Sequence, residues 1–469
     1  MDKSYVSVTS KHAMHMDERD LKTLDKMYVW HPYTQMSDWL GMDAPVIVRG
    51  DGFYLVDEQG NRYLDGIASM WCNVWGHSRR EIVDAIVEQV RMLQHSTLFG
   101  LSNKPSIVLA EMLIRLARGM GKVFYSDDGS TAMEVAVKMA MQYWHNRLSS
   151  SNERRREIIA LENGYHGDTV GAMSIGYIEH FFKPYEPLLF KVRRVPSPYL
   201  YRKRVEMSDA DYVQYCLDAL EHELKSSEGR VAAVVMESGA QIAGGAIVYP
   251  DGYQREVSRI CRRYGTLFIL DEVATGFGRL GSMVEYIAQD SMPDIVAFGK
   301  MLTAGYLPLA VTLATDDVFN AFLGRYEERR HLFHGHTFTG NPIACACAVA
   351  NLRLYESEGL IPRLRDNAML MARRLEEFKR YDTVGDVRHK GMLAGIELVK
   401  DGKQALERLV DGRRINYAIA EEAIRRGLIL RPLGHIMLLV PPLAIGREEL
   451  DMLMDKAMDV LDAVSRLAR

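Results

Sequence analysis

Leu267-Phe268-Ile269-Leu270-Asp271-Glu272-Val273-Ala274-Thr275-Gly276-Phe277-Gly278-Arg279 is the stretch on which the fold turns. Its four leading apolar residues show no polar alternation. They describe a strand buried on both faces, as in parallel sheets covered by helices. An acid placed directly after such a strand is costly to bury without a partner. Asp271 is therefore a candidate site residue, and Glu272, one position on, would point the other way. The pattern recurs at Lys122–Tyr125, Glu157–Leu161, Val231–Met236 and Ile295–Phe298. Between these runs lie stretches with helical spacing, among them Thr131–Arg147, Ser208–Leu224 and Gln254–Tyr264. The alternation predicts an α/β fold with a mainly parallel sheet and helices on both faces. Ligands of such sheets bind beyond the carboxyl ends of the strands.

The residues after each run are polar. Gly129-Ser130 opens a helix, where free N–H groups make an anion site and a glycine lets a phosphate approach. A plain helix cap explains the same residues, and Thr131-Ala132-Met133-Glu134 fits a capping box. No Gly-Lys-Ser/Thr follows, so this is not a Walker A loop. Tyr165, between Gly164 and Gly167, could lie flat on a planar ligand or simply occupy a turn. His166 and Asp168 fit a catalytic pair less well than ordinary hydrogen-bonded loop residues. Glu237 ends its strand either as a site carboxylate or tied to nearby backbone. Lys300 closes the strand Ile295–Phe298 after Gly299. In apolar surroundings its ammonium form is disfavoured, and the free amine is a nucleophile toward carbonyls. Each residue alone has an ordinary structural explanation. Together they suit one anionic, aromatic, aldehyde-bearing ligand.

The 469 residues exceed what one core usually serves, so two domains are expected. A net charge of −4 gives no basis for binding nucleic acid or an anionic membrane. No apolar stretch approaches the roughly 18 residues of a membrane span, and no signal-peptide core is present, so a cytoplasmic protein is expected. The five cysteines, Cys72, Cys216, Cys261, Cys345 and Cys347, are odd in number and lack a CxxC. That argues against a disulfide framework and a cysteine-rich metal site, and no metal is expected. Cys345 and Cys347 read as small core residues on a helix. Residues 1–27 look like a polar leader. Val46–Val48 and Phe53–Val56 read as small antiparallel strands, and Arg79–Gln94 and Ser106–Arg118 as helices. Past residue 345 helices are expected at Ala346–Glu356, Leu364–Tyr381, Ile415–Arg426 and from Arg447. Strands are expected there at Leu393–Val399, Leu428–Arg431 and Ile436–Val440.

The run Asp271–Arg279 followed by Gly299-Lys300 resembles the class III aminotransferases, pyridoxal 5′-phosphate (PLP) enzymes of fold type I. The resemblance extends from about Trp30 to Pro442. Further motifs are similar to the branch of that family that aminates 8-amino-7-oxononanoate in biotin synthesis. They are Trp30–Met36, Asp127–Ser130, Gly164–Asp168, His334–Phe338 with Gly340-Asn341, and Arg431–Gly434. The resemblance implies a seven-stranded, mainly parallel sheet in a large PLP-binding domain (residues 76–345). A smaller α+β domain (346–469) and an N-terminal segment (1–75) contributing to it and to the substrate channel complete the division. It implies that Lys300 holds the cofactor covalently and moves the reacting proton, with Tyr33 also catalytic. Asp271 would pair with the ring nitrogen, Tyr165 and Val273 would flank the ring, and His166 and Glu237 would belong to the cofactor site. Gly129 and Ser130 would bind the phosphate, joined by His336 and Thr337 from a neighbouring subunit, so a homodimer is implied. Arg431 would pair with the substrate carboxylate, and Tyr33, Met70 and Trp71 would line the substrate channel. Met70 stands where members using S-adenosylmethionine often carry tryptophan, so S-adenosylmethionine and lysine both stay open as amino donor. Two alternatives are a class III enzyme acting on ω-amino acids, ornithine or diamines, and a PLP-binding regulatory or scaffold protein.

Overall fold

A computed structural model describes residues 18–147 and 155–468. Most of the expected leader, residues 1–17, lies outside the described residues, and a helix runs over Glu18–Tyr28. Arg154 of the charge run 154–157 lies outside them as well.

Seven strands form the central sheet, in the order Lys122–Ser126, Ala310–Ala314, Ile295–Phe298, Leu267–Asp271, Val231–Glu237, Glu157–Leu161, Arg193–Val195. Ala310–Ala314 runs antiparallel to both neighbours, and the other pairs are parallel. Every residue of Val231–Glu237 and of Leu267–Asp271 is buried. Side chains alternate between two cores, as strand geometry requires. Val235, Ile269 and Ala297 pack with Ala132, Ala136 and Ala140 of the helix Gly129–Arg147. Val234, Phe268, Leu270 and Val296 pack on the other side with Val257 and Ile260 of the helix Tyr253–Arg263. Each Val, Leu or Ile so buried contributes about 1.5–3 kcal/mol, which is why these strands tolerate no polar alternation.

Several elements here were not expected, and three of them shape the sheets. Ala310–Ala314 closes the sheet between two parallel strands. Arg193–Val195 is its edge strand. Val384–Lys390 pairs with Leu393–Lys400 in a second, antiparallel sheet that also holds Gln404–Ala405 and Ile436–Leu439. A third sheet joins the N-terminal strands Ile47–Asp51, Tyr54–Asp57 and Arg62–Asp65 to Leu428–Ile429. The strand expected over Leu428–Arg431 thus stops at Ile429, and Arg431 follows in a loop. The helix expected from Leu364 begins at Leu360, directly after the left-handed Gly359 (φ 56°), and its α-helical part ends at Leu375. Cys345 and Cys347 are buried in the helix Pro342–Ser357, whose start is capped by Asn341 Oδ1 accepting from the N–H groups of Ile343 and Ala344. No helix among the described residues is long and apolar enough to cross a membrane.

Candidate active site

Parallel register brings the strand ends to one level. Asp271 pairs with Glu237 on one side and with Ala297 on the other, and Lys300 comes three residues after Ala297. Just beyond these ends opens a cleft of about 680 Å3 lined by Gly129, Ser130, Tyr165, Asp271, Val273 and Lys300. His166, Glu237 and Trp71 also line it. Residues scattered over more than 200 positions therefore meet because a doubly covered parallel sheet ends in one crevice.

Asp271 is held on both oxygens. Its Oδ1 accepts the Val273 N–H at 2.9 Å, and its Oδ2 lies 2.7 Å from His166 Nδ1. A carboxylate only accepts, so His166 Nδ1 is the donor. His166 thus pairs with Asp271 rather than with Asp168. Glu237 accepts the N–H groups of Tyr165 and Ile242, each at 3.1 Å. Burial, reinforced by nearby Asp271, raises the Glu237 pKa well above the ordinary value. Glu272 points away from the cleft, as strand geometry requires. It accepts from Ser238 Oγ and from the N–H groups of Glu285 and Tyr286.

Lys300 begins a short 3-10 turn at φ 44°, a left-handed value that a residue with a Cβ adopts at a cost of about 1–2 kcal/mol. Its Nζ lies 5.6 Å from the centre of the Trp71 ring. Burial lowers its pKa below the usual 10.5, against the opposing pull of Asp271. The amine is therefore free over a wider pH range than a solvated lysine.

The helix starting at Gly129 is capped differently from the expectation. Asp128 Oδ1 accepts the Thr131 N–H at 2.8 Å, and Thr131 Oγ1 accepts the Asp128 N–H at 3.1 Å. Glu134 instead caps the next helix, Val170–Ile175, through the N–H groups of Gly171 and Ala172. The reason is position: the box sits one turn earlier, on Asp128. The Ala132 N–H bonds to the Asp128 carbonyl. Gly129 and Ser130 are left as the amides without a helical partner, and both face the cleft. A Cβ on Gly129 would stand 2.5 Å from Val273 Cγ1, so only glycine fits there.

Tyr165 Oη donates to Asp168 Oδ2 at 3.1 Å, and Tyr33 Oη donates to Asp168 Oδ1. Burial raises the pKa of both phenols. Tyr33, Met70 and Arg431 stand outside the cleft lining. Arg431 Nη2 reaches the Tyr33 carbonyl at 3.5 Å and has no carboxylate partner among the described residues. His336 and Thr337 are not in the lining either, and His336 Nδ1 lies 2.9 Å from Asp127 Oδ2. Asp168, read from the sequence as a hydrogen-bonded loop residue, and Thr169, left there without a role, both line the cleft. Asp168 ties the two tyrosines together. Thr169 Oγ1 is 2.8 Å from Ser130 Oγ, and the Thr169 N–H donates to that same Ser130 oxygen. Only its place after Gly167-Asp168 pointed to Thr169.

Residues 38–461 match the family model for aminotransferase class-III. The chain is 45% identical over 441 residues to an adenosylmethionine-8-amino-7-oxononanoate aminotransferase of Geobacter sulfurreducens, covering 94% of this chain and 96% of that protein. Its fold is similar to the crystal structure of the enzyme of that name from Methanocaldococcus jannaschii, with a TM-score of 0.87 and 41% identity over 95% of this chain and 99% of that one. It is also similar to an (S)-enantioselective omega-transaminase from Thermomicrobium roseum, with a TM-score of 0.89 and 31% identity over 96% and 99% of the two chains. The chain belongs to the class III aminotransferase family.

Proposed function

We propose that the protein is a PLP-dependent transaminase that converts 8-amino-7-oxononanoate to 7,8-diaminononanoate, a step of biotin synthesis. The observation that carries this reading is the convergence of Lys300, Asp271, Tyr165 and the Gly129-Ser130 amides on one cleft. The donor set fits PLP. Two unpaired helix-start amides and a hydroxyl suit a phosphate, a buried carboxylate suits a ring nitrogen, and a depressed lysine suits an aldehyde. Fold likeness does not separate the substrates, since TM-scores of 0.87 and 0.89 are alike. Identity does favour one: 45% and 41% against 31%.

PLP, when bound, supplies an aldehyde for amines and a ring that takes up electrons from the bond broken at the substrate carbon. Lys300 Nζ, its pKa lowered by burial, would take the proton from the amine-bearing carbon of the donor and pass it to the cofactor, and would carry a proton the other way in the second half-reaction. Asp271, fixed by His166 and the Val273 N–H, would pair with the ring nitrogen. Tyr165 and Val273, which both line the cleft, would pack against the two faces of the ring. Arg431, without a carboxylate partner among the described residues, receives the carboxylate of the keto acid as a bidentate pair. Tyr33, bound to Asp168 and with its carbonyl 3.5 Å from Arg431 Nη2, would line the path of the substrate.

The donor is S-adenosylmethionine or lysine. The names of the relatives favour the former, and exposed Met70 in place of a tryptophan leaves room for the latter. A homodimer completes the phosphate seat with the partner's His336 and Thr337, and the enzyme works in the cytoplasm. The test mixes protein, PLP and 8-amino-7-oxononanoate with either donor and measures 7,8-diaminononanoate by mass spectrometry. Product with one donor is expected. No product with either, alongside turnover of ω-amino acids or diamines, overturns the substrate and leaves the family intact.

A further inference from the structure

Between the strand Arg62–Asp65 and the cleft lies a turn of unusual hand. Ala68, Ser69, Met70 and Trp71 have φ values of 47°, 46°, 75° and 73°. None is glycine, and each Cβ in such a left-handed turn crowds the following carbonyl oxygen. The turn is closed by the Trp71 N–H on the Ile67 carbonyl at 2.8 Å and the Cys72 N–H on the Ala68 carbonyl at 2.9 Å. At one end of its span Trp71 faces Lys300, and Met70 beside it is 42% exposed. A conformation this costly persists only where the surroundings over-determine it.

Asp65 supplies that constraint. It is fully buried. Its Oδ1 accepts the Ser69 N–H at 3.0 Å, and its Oδ2 accepts Ser69 Oγ at 2.8 Å. His77 Nε2 lies 3.2 Å from Oδ2. One carboxylate thus grips both the backbone and the side chain of the central residue of the turn. Asp65 is itself anchored by strand pairing with Ile429, two residues before Arg431. The elements that carry Trp71 and Arg431 therefore leave a single sheet edge at the level of Asp65.

We propose that Asp65 is a positioning residue: it holds the turn Ala68–Trp71 in its left-handed form and so presents Trp71 and Met70 to the keto-acid substrate. The effect on substrate rests on the transaminase reading, whereas the effect on the turn does not. Two readouts separate them. The first is KM for 8-amino-7-oxononanoate in the holoenzyme. The second is alkylation of Cys72, whose Sγ donates to the Ser69 carbonyl at 3.1 Å and which alone among the five cysteines is not buried.

Asp65→Ala should leave the visible band of Lys300-bound cofactor in place, raise KM about tenfold or more with a smaller change in kcat, and speed Cys72 alkylation severalfold. Ser69→Gly introduced into Asp65→Ala should reverse most of both changes, because glycine adopts positive φ without the steric cost. A residue needed only for folding would not give a KM defect that glycine repairs. Unchanged KM and alkylation in Asp65→Ala overturn the proposal, as does a defect that Ser69→Gly leaves untouched. Where Asp65→Ala does not fold, Asp65→Asn carries the same test, with smaller shifts expected and no shift overturning it. If the wild-type protein does not turn over the keto acid, the substrate reading fails, and the alkylation rates still decide the role of Asp65.

Discussion

Gly129→Ala puts one methyl group into the proposed phosphate seat, and the local geometry fixes the size of its effect. Gly129 does not have a left-handed φ, so alanine is conformationally acceptable there. In a helix that exchange would ordinarily stabilise by about 0.5–1 kcal/mol. Here the new Cβ would stand 2.5 Å from Val273 Cγ1 and 3.1 Å from Cγ2. Carbon atoms in good contact are about 3.5–4.0 Å apart, so about 1 Å must be found. A β-branched side chain has little freedom to turn aside. The Val273 N–H is also tied to Asp271 Oδ1, so moving Val273 disturbs the carboxylate proposed for the ring nitrogen. Overpacking of this size costs about 1–3 kcal/mol. The displaced groups are those proposed to hold the cofactor, so the cost should appear as PLP affinity weakened about 5- to 150-fold, at 1.4 kcal/mol per factor of ten. The assay titrates PLP into cofactor-free protein and follows the visible absorption band. Val273→Ala removes both offending methyls, so Gly129→Ala with Val273→Ala should bind more tightly than Gly129→Ala alone. Wild-type affinity in Gly129→Ala, or no recovery in the double variant, would refute the reasoning.

Lys300→Ala should bind PLP without the visible band and lose transamination; normal turnover in that variant would remove Lys300 from the mechanism. Burial lowers the Lys300 pKa, so in wild-type cofactor-free protein the rate of band formation should reach half its maximum below the pH of 10.5 at which an ordinary lysine is half free. Arg431→Ala should raise KM for the keto acid about 10- to 100-fold, the worth of a charge-assisted pair, with PLP affinity unchanged; an unchanged KM would place the carboxylate elsewhere. Glu397 tests stability away from the cleft. It accepts from Arg388 Nη1 at 2.6 Å, Arg202 Nε at 2.7 Å and the Tyr199 hydroxyl. Burial alone would raise its pKa, but His435, Arg388 and Tyr199 hold it well below the usual 4.5. A depressed pKa gives stability that is full above the unfolded value and is lost as pH falls toward the folded one. Glu397→Gln should therefore cost about 3–5 kcal/mol in urea unfolding at pH 7, with the gap closing in acid; a gap constant with pH would show that the charge is not what matters.

Burial explains which elements the residues alone reveal. Val231–Glu237 and Leu267–Asp271 are covered on both faces, so selection by water leaves continuous apolar runs that are plain in the sequence. Arg193–Val195 is an edge strand in which Arg193 pairs with Glu157 and Glu223 while Arg194 donates to the carbonyls of Ser174 and Ile175, so it carries no such run. Val384–Lys390 is half-buried throughout and reads as a polar segment. Ala310–Ala314 is apolar, but it comes after Leu307-Pro308 and looks like the end of a loop. Gly129, Tyr165, Glu237, Asp271 and Lys300 were legible because each ends or closely follows a legible strand. Asp65 was not, since nothing in Ala68-Ser69-Met70-Trp71 announces a left-handed turn; without a glycine, local preference argues against one.

That contrast has a physical basis. The strand ends are held by register, which spreads the constraint over a sheet buried on both sides and leaves little strain at Glu237 or Asp271. The residues proposed to face the ligand out of register are held otherwise. Lys300 sits at φ 44° beyond its strand, and Ala68–Trp71 turn left-handed beyond theirs. Both strained pieces meet at one point, where the Lys300 amine and the Trp71 ring are 5.6 Å apart. Each strained residue is local, and the sheet that supports it is extended and apolar, so about 1–2 kcal/mol per residue can be carried without loss of the fold. The same arrangement explains why the family's substrate range can vary on a constant sheet. Changes at Met70 or Arg431, the residues proposed to meet the substrate, would alter a turn and a loop, while the pairing of Asp271 with Glu237 and Ala297 would be untouched.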